Sequence, residues 1–201
     1  TYTSKVSYNL SGHTDISGRG FGPFNGGRFD AKLNITTPES YDMSITHKLD
    51  DQWTLYAGTT WTRWSRLKEI TVNNSGVSPA LGGAAGPIGR INEPQNWHDT
   101  WASAIGASFQ VNKQWVLRTG FSVDQSPTNN TDRSVRIPTG DRKAVSFGAG
   151  FSPTEDWTID AAVSYLWEEE VNVNRTGKGN AYNAEYKNSA WGYGLGATYK
   201  F

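Results

Sequence analysis

The C-terminal residues 191–201 alternate at every position between an apolar and a small or polar side chain. The apolar set is Trp191, Tyr193, Leu195, Ala197, Tyr199 and Phe201, and the set between them is Gly192, Gly194, Gly196, Thr198 and Lys200. Successive residues of a β-strand point to opposite faces, so this strand has one apolar, aromatic face and one small, polar face. Transmembrane barrel strands are typically of this kind, with the apolar face toward lipid. A strand of a soluble β-sandwich is the alternative interpretation.

The composition fits a membrane protein built from strands and argues against one built from helices. Hydrophobic residues make up 36% of the chain and the mean hydropathy is −0.61. No segment approaches the roughly 18 consecutive apolar residues of a membrane-spanning helix. Nine Trp, nine Tyr and 22 Gly residues suit an alternating barrel sequence. Basic and acidic residues number 19 each, so nothing indicates a nucleic acid partner. The absence of cysteine excludes disulfides and thiolate metal sites.

Short and long connections alternate along the chain. Three tight polar turns, at 49–53, 111–115 and 152–157, each end in a Trp that begins an alternating segment. The long connections, at 12–27, 73–94, 126–140 and 174–180, are rich in Gly, Pro, Asn and Ser. We therefore expect the short turns at the periplasmic rim of a barrel, with interfacial Trp residues, and the long loops at the extracellular rim.

These connections predict eight strands, near 2–11, 28–49, 52–72, 95–111, 114–125, 141–152, 156–173 and 183–201. Pro38 lies inside the second strand and removes a ladder hydrogen bond, which predicts a kink or bulge there. A break into two strands at Thr37-Pro38-Glu39 is the alternative. It would make nine strands and reverse the sense of every preceding loop, so one long kinked strand is preferred.

The two faces of these strands differ consistently. Odd positions carry most of the apolar side chains, and even positions carry most of the charged ones: Lys32, Asp42, Lys48, Arg66, His98, Arg118, Asp124, Arg142, Asp160 and Glu168. Only the first strand is offset, with Tyr2, Val6, Tyr8 and Leu10 on its apolar face. Burying this many charged side chains away from water would cost too much free energy. The even face is therefore predicted to line a lumen and the odd face to meet lipid.

Several motifs, in order and spacing, resemble the FadL/TodX family of outer-membrane long-chain fatty acid and hydrocarbon transporters. They are Arg118-Thr119-Gly120-Phe121, Asp124-Gln125-Ser126-Pro127, Arg136-Ile137-Pro138-Thr139-Gly140-Asp141-Arg142, Ser146-Phe147-Gly148, Trp64-Ser65, Thr37-Pro38-Glu39 and Asn96-Trp97-His98-Asp99-Thr100-Trp101. The resemblance implies a 14-stranded barrel with an N-terminal hatch. Residues 1–201 are then a single barrel segment comprising the last eight strands, without the hatch. The chain also starts at Thr1 in mid-pattern with no visible signal peptide, as in a processed or truncated product. A complete eight-stranded barrel is the alternative, although its interior would be crowded by the even-face charges.

The resemblance implies passive uptake of long-chain fatty acids or similar hydrophobic compounds, in the bacterial outer membrane, by a monomer. No metal, cofactor or energy source is implied. The final Phe201 resembles the terminal signal of outer-membrane proteins, which implies recognition by the barrel assembly machinery, and lipid surrounds the wall. A general diffusion porin for small polar solutes is the main alternative function. An outer-membrane lipid hydrolase is a weaker one, because it needs a Ser-His pair with an orienting group. Of the three histidines, His13 is expected in a loop, His47 outward and His98 inward.

Candidate ligand-binding residues follow from the resemblance and from the inward face. Phe21 and Phe24 lie on the 12–27 loop, which would help to form an outer docking groove, although they could equally fold that loop onto its neighbours. His98 occupies a position where some relatives carry a basic residue thought to meet the carboxylate head; a protonated imidazole could do the same. Arg118 and Arg142 could bind a carboxylate or pair with Asp124 or Asp160. Large apolar residues on the inward face are candidates for the wall along the acyl chain: Tyr56, Trp64, Val116 and Leu166.

Overall fold

The computed structural model describes residues 1–17, 27–176 and 181–201. These residues form antiparallel β-strands joined by turns and loops. The strands are β1 Tyr2–Thr3, β2 Ser7–Asp15, β3 Arg28–Thr36, β4 Ser40–Lys48, β5 Trp53–Thr62, β6 Glu69–Asn74, β7 Arg90–Pro94, β8 Thr100–Gln110, β9 Trp115–Asp124, β10 Arg142–Phe151, β11 Trp157–Glu168, β12 Val171–Thr176, β13 Ala181–Tyr186 and β14 Ser189–Tyr199. Single 3₁₀ turns occupy Trp64–Arg66, Pro79–Leu81 and Gly83–Ala85. None of the helices in these three described ranges is long and apolar enough to cross a membrane.

The main sheet has eight strands in the order β1-β4-β5-β8-β9-β10-β11-β14. Every neighbouring pair is antiparallel. The eight strands predicted from the sequence are thus confirmed, each contributing one segment to this sheet. The other segments form a four-stranded sheet, β2-β3-β6-β7, and the hairpin β12-β13. Both extend the main sheet at the end opposite to the short turns.

Five of the predicted strands are each divided into two segments, and the break at Pro38 is the one that the sequence indicated. β3 and β4 are separated by residues 37–39, yet β3 pairs antiparallel with β2 and β4 pairs antiparallel with β1. The chain therefore keeps its direction through the break, as the kinked-strand interpretation predicts, and the nine-strand alternative is wrong. Pro38 has no N–H to donate to a neighbouring strand, which explains why the ladder stops there.

Two assignments near the outer loops are wrong. Residues 73–94 were expected to be a loop, but Arg90–Pro94 forms β7 and pairs with β6. Ile91 is the only strongly apolar residue in β7, so this short strand has no alternating pattern to reveal it. His13 was expected in a loop but lies in β2, where its Nδ1 is 3.1 Å from Asp30 Oδ1 on β3. The hydrogen-bonded register between β2 and β3 extends that hairpin beyond its apolar residues.

The first two of the three short turns are built alike. In the first, Asp50 Oδ1 accepts hydrogen bonds from the N–H groups of Gln52 and Trp53, at 2.8 and 2.6 Å. In the second, Asn112 Oδ1 accepts from Gln114 and Trp115, at 2.8 and 3.0 Å. An Asp or Asn side chain that accepts a hydrogen bond from the backbone N–H two residues later stabilises a tight turn. The three predicted tight turns are confirmed, and in the first two the side chain of Asp50 or Asn112 fixes the turn.

The odd-numbered face of the main sheet carries two aromatic girdles. At the short-turn end, Trp53 contacts Phe109, Trp115 stacks on Phe151 and Trp157 contacts Tyr199, with ring centroids 4.5–5.0 Å apart. At the other end the contacts are Tyr2–Tyr41, Tyr41–Trp61 and Tyr165–Trp191. Trp53 and Trp61 are eight residues apart on β5, about 26 Å along the strand. At the tilt of about 35–45° that is usual for membrane barrels, this length corresponds to a height of about 20 Å, close to the apolar band of about 25 Å.

Hydrophobic side chains on this face are exposed, and the sheet is a single layer. Leu195 is 84% exposed and Met43 75% exposed. The contact between Tyr2 and Tyr41 also confirms that the even positions of the first strand share the lipid face. Among the described residues, the buried hydrophobic side chains are Ile16, Val171 and Val173, all outside the main sheet. The apolar surface of this fold therefore faces outward, as the alternating pattern predicts.

Candidate functional site

The even-numbered face of the main sheet is the candidate functional surface. Strand register places its side chains in rows that cross the sheet. One row runs through Asp124 on β9, Arg142 on β10 and Glu168 on β11. The next row lies two positions further along each strand and contains Ser122, Ala144 and Leu166. Polar and charged groups thus share one face while the aromatic girdles occupy the other, as the sequence predicts.

An ion pair crosses this face near the short turns. Arg118 Nη1 on β9 donates to Asp160 Oδ1 on β11, at 2.7 Å, although β10 lies between the two strands. The pair can span β10 because residues 148 and 150 there are glycines. A Cβ on Gly150 would stand 2.8 Å from Asp160 Oδ1 and 3.1 Å from Arg118 Nη1. Both side chains are about half exposed, so lumen water screens their attraction.

A second charged cluster lies at the outer end of the same strands. Arg142 Nη2 is 3.5 Å from Asp124 Oδ2, and its Nε is 3.8 Å from Glu168 Oε1. Glu168 is buried and also accepts a hydrogen bond from Asn188 Nδ2 at 2.8 Å. The prediction that Arg118 and Arg142 pair with Asp160 and Asp124 is confirmed. Each guanidinium group thus has a carboxylate partner on the same face of the sheet.

Between these two clusters the face is lined mainly by small side chains. We call this surface the small-residue band: Ser44, Gly58, Ala104, Ser122, Ala144 and Ala190 in one row, and Gly106, Gly120, Ser146, Ser164 and Gly192 in the next. Leu166 and Tyr56 are the two large apolar residues that belong to these rows. Tyr56 is held by a 3.2 Å hydrogen bond between its hydroxyl and that of Ser108.

The four residues proposed for an acyl-chain wall do not come together. Tyr56 is on β5 and Leu166 on β11, with β8, β9 and β10 between them, so they are roughly 19 Å apart across the sheet. Val116 lies on β9 beside Gly150, next to the Arg118–Asp160 pair. Trp64 was expected on a strand but lies in a 3₁₀ turn, where its ring packs edge-on against Trp97 with centroids 5.1 Å apart.

His98 also lies off the strand predicted for it. β8 begins at Thr100, and His98 belongs to the linker 95–99 that separates β7 from β8. Its backbone N–H donates to the carbonyl of Pro127 at 3.0 Å, and the residue is exposed. Within the described ranges its imidazole makes no hydrogen bond or ion pair. Phe21 and Phe24, the docking-loop candidates, lie outside the described residues.

The breaks in three strands lie side by side and share an ionic cluster that the sequence did not reveal. We call the segments 37–39, 63–68 and 95–99 the linker belt. Glu39, only 7% exposed, accepts hydrogen bonds from Arg66 and from Arg63 Nη1, the latter at 3.2 Å. The Arg66 hydrogen bonds, with those of Arg63, lower the pKa of Glu39 to about 2. Asp99 Oδ1 accepts the N–H of Ser65 at 2.9 Å, tying the third segment to the second.

The loop between β9 and β10 is organised by a buried arginine that was also missed. Arg133 is 5% exposed, and its Nε donates to Thr128 Oγ1 and to the carbonyl of Thr139, at 3.2 and 3.1 Å. Its Nη1 donates to the carbonyl of Asn172 on β12, at 3.2 Å. This burial lowers the pKa of Arg133 from its usual range. The motifs that carry the family resemblance include Thr139 but not Arg133, and only the contacts of Arg133 show its role in the loop.

Comparison with known proteins gives the same architecture. The family model described as "Outer membrane protein transport protein (OMPP1/FadL/TodX)" matches residues 1–201. A long-chain fatty acid transport protein of Escherichia coli O6:H1 is 27% identical over 202 residues, covering 100% of this chain and 42% of its own length. Thus the chain spans less than half the length of this relative.

Two solved structures are similar to the chain. A FadL homologue of Pseudomonas aeruginosa superposes with a TM-score of 0.79 at 27% identity, over 98% of this chain and 47% of that one. The toluene transporter TodX of P. putida superposes with a TM-score of 0.60 at 18% identity, over 99% of this chain and 44% of that one. The second likeness concerns the fold alone. Both partial coverages agree with a sheet that is part of a larger barrel.

Proposed function

Because the chain belongs to the OMPP1/FadL/TodX family of outer-membrane transport proteins, we propose that its barrel takes up long-chain fatty acids or similar hydrophobic molecules by passive transport through the lumen. The barrel lies in the bacterial outer membrane, and its even-numbered face lines the path. Residues 1–201 act as one barrel-domain segment. The relatives are named as transport proteins, and the proposal involves no chemical step.

The observation that carries this proposal is the arrangement of charge on the lumen face. Its cations within the main sheet, Lys48, Arg118 and Arg142, each pair with a carboxylate among the described residues. Between the Arg118–Asp160 pair and the Arg142 cluster, the small-residue band carries no ionisable side chain except the phenol of Tyr56. Such a surface leaves room for a bulky solute and holds no unpaired cation on the sheet that would have to be desolvated. Those properties suit an apolar chain better than a flow of ions.

We assign roles to the candidate residues accordingly. Tyr56 and Leu166 offer apolar contact inside the band, and Val116 offers it beside the lower ion pair. Trp64, packed on Trp97 in the linker belt, contributes apolar surface near the mouth. His98 contacts the carboxylate head there, since its imidazole is exposed and gains a positive charge on protonation. Phe21 and Phe24 belong to the outer docking loop. Arg118 and Arg142 hold the wall.

The proposal includes the partners of the barrel. Membrane lipid contacts the odd-numbered face between the two aromatic girdles. The barrel assembly machinery recognises β14 through the aromatic side chain of Phe201, which is fully exposed. The transporter acts as a monomer.

Uptake measurements test the function directly. Cells that lack their own long-chain fatty acid transporter receive the full-length parent protein, and entry of labelled oleate and of a small labelled sugar is compared. Oleate uptake without sugar uptake is the expected result. Sugar entry without oleate uptake would contradict the proposal and indicate a general diffusion pore. His98→Ala is expected to raise the oleate concentration needed for half-maximal uptake, whereas His47→Ala, on the lipid face of β4, leaves it unchanged.

A further inference from the structure

A groove of about 740 Å³ lies outside the main sheet, between β7, residues 134–136 of the β9–β10 loop and β13. Its lining includes Ile91, Glu93, Val135, Arg136, Tyr182 and Tyr186. All three segments lie beyond the outer aromatic girdle, on the side of the long loops. The volume is within the range of small-molecule sites in proteins.

Much of this lining is apolar surface that the described residues leave uncovered. Ile91 and Val135 are each 45% exposed and Tyr182 is 43% exposed. The hydroxyl groups of Tyr182 and Tyr186 hydrogen-bond each other at 2.6 Å, so the two phenols are fixed as one surface. Exposed apolar residues gathered in a concave site indicate a hydrophobic ligand more strongly than the same residues scattered singly.

The groove also contains a cation with unused hydrogen-bonding capacity. Arg136 has a side chain that is 79% exposed, and its Nη1 is 3.2 Å from Glu93 Oε2. A guanidinium has five N–H donors in a planar fork, and this contact uses one of them. The remaining donors can bind a second carboxylate through two parallel hydrogen bonds.

The loop that carries Arg136 is held by a local hydrogen bond and by a contact to β12. The backbone N–H of Arg136 donates to Ser134 Oγ, in the same loop, at 3.2 Å. Arg133, three residues earlier, is buried and ties the same loop to the carbonyl of Asn172 on β12. A cation on a fixed loop loses less conformational freedom when it binds a ligand.

We propose that this groove binds the anion of a long-chain fatty acid at the outer rim, with Arg136 contacting the carboxylate and Ile91, Val135, Tyr182 and Tyr186 contacting the chain. This inference rests on the proposed function and adds a site separate from the lumen face and from the 12–27 loop. A neutral hydrocarbon fits less well, because covering the groove with it would desolvate Arg136 without supplying an acceptor.

Photoaffinity labelling of the full-length protein in outer-membrane vesicles tests the site. The probe is a palmitate analogue with a mid-chain diazirine, used below saturation and mapped by mass spectrometry. Labelled peptides are expected to contain Val135 and Tyr182, and excess oleate should remove the label. Arg136→Gln should weaken binding at least about tenfold, because it removes the charge from both hydrogen bonds to the carboxylate. Arg136→Lys should retain part of the labelling and shows that the loop tolerates substitution.

Matched variants separate charge from general disturbance. Arg90→Gln is the control. Arg90 precedes Ile91 on β7, and its side chain pairs with Glu69 outside the groove. It should label as the wild type does. Glu93→Gln should not reduce labelling, since it removes a carboxylate that competes for Arg136. The analogous palmityl alcohol probe should be insensitive to Arg136→Gln.

Two results would overturn the inference: label absent from both groove segments, or equal oleate-competed labelling of wild type and Arg136→Gln. Uptake of labelled oleate is measured in the same cells. Normal wild-type uptake with either of those labelling results rejects the groove alone. Absent uptake rejects the proposed function, whatever the labelling.

Discussion

The guanidinium of Arg118 and the carboxylate of Asp160 meet at 2.7 Å across an intervening strand. Their contact passes over Gly150, where even a methyl group would crowd the carboxylate oxygen. The lumen wall is therefore held by a relationship among three strands, in which two charged residues require a glycine between them. Similar pairing of Arg142 at the outer end leaves the surface between the two clusters small and largely uncharged.

Gly150→Ala tests this relationship. The new Cβ would stand 2.8 Å from both Asp160 Oδ1 and Val116 Cγ1, so the ion pair must shift. We expect the free energy of unfolding in urea to fall by about 1 kcal/mol, the lower end of the cost of overpacking. Gly58→Ala is the control, because its Cβ would meet only ordinary contacts at 3.5 Å and beyond. It should be neutral or stabilising by about 0.5 kcal/mol. Equal effects of the two variants would contradict the account.

The linker belt predicts an acid-sensitive contribution to stability. Hydrogen bonds from Arg66 and Arg63 hold the pKa of Glu39 at about 2, below its ordinary value of 4.5. A lowered carboxyl pKa contributes stability that is fully present above pH 4.5 and lost as the pH falls through about 2. Urea unfolding at successive pH values should therefore show a loss in this window.

Glu39→Gln should flatten the slope of stability against pH in the same window. At neutral pH it should also destabilise the protein, because Arg66 loses its carboxylate partner. Glu155→Gln, at an exposed position of a short turn on the opposite rim, serves as the control and should keep the wild-type slope. A slope unchanged by Glu39→Gln would show that another group is responsible.

The hydrogen bonds inside the short turns also predict the effect of a substitution. Asn112 Oδ1 accepts two backbone hydrogen bonds, so Asn112→Ala should lower the free energy of unfolding by about 1 kcal/mol. Lys113→Ala, next to it in the same exposed turn, should change stability little. Urea unfolding of the two variants in lipid vesicles measures the difference. A Lys113 effect as large as that of Asn112 would argue against the side-chain hydrogen bonds as the cause.

Much of the fold was predictable because the strands of a barrel repeat with a period of two. Trp53, Leu55 and Ala57 alternate with Thr54 and Tyr56, so the lipid face of β5 can be identified residue by residue. The polar turns before Trp53 and Trp115 were equally clear, because their side chains act on neighbours only two or three residues away.

The parts that escaped prediction depend on contacts between distant segments. β7 has too few apolar residues to show a period, and it is a strand because β6 lies beside it. The Glu39–Arg66 cluster depends on two strand breaks lying next to each other, 27 residues apart in sequence. Trp64 fits the inward pattern by number, but the chain has already left the strand at that point. The alternation of apolar and polar side chains along the sequence does not show where a strand is interrupted.

The most direct test of the central claim, that the small-residue band lines the transport path, is oleate uptake by two tryptophan variants of β8. Ala104 lies in the band between Gly58 and Ser122, whereas Ala107 lies on the lipid face between Leu55 and Thr119. At equal amounts of assembled protein, Ala104→Trp should reduce the initial rate of labelled oleate uptake severalfold, and Ala107→Trp should leave it close to that of the wild type. Unchanged uptake by Ala104→Trp, or an equal loss in both variants, would contradict the claim.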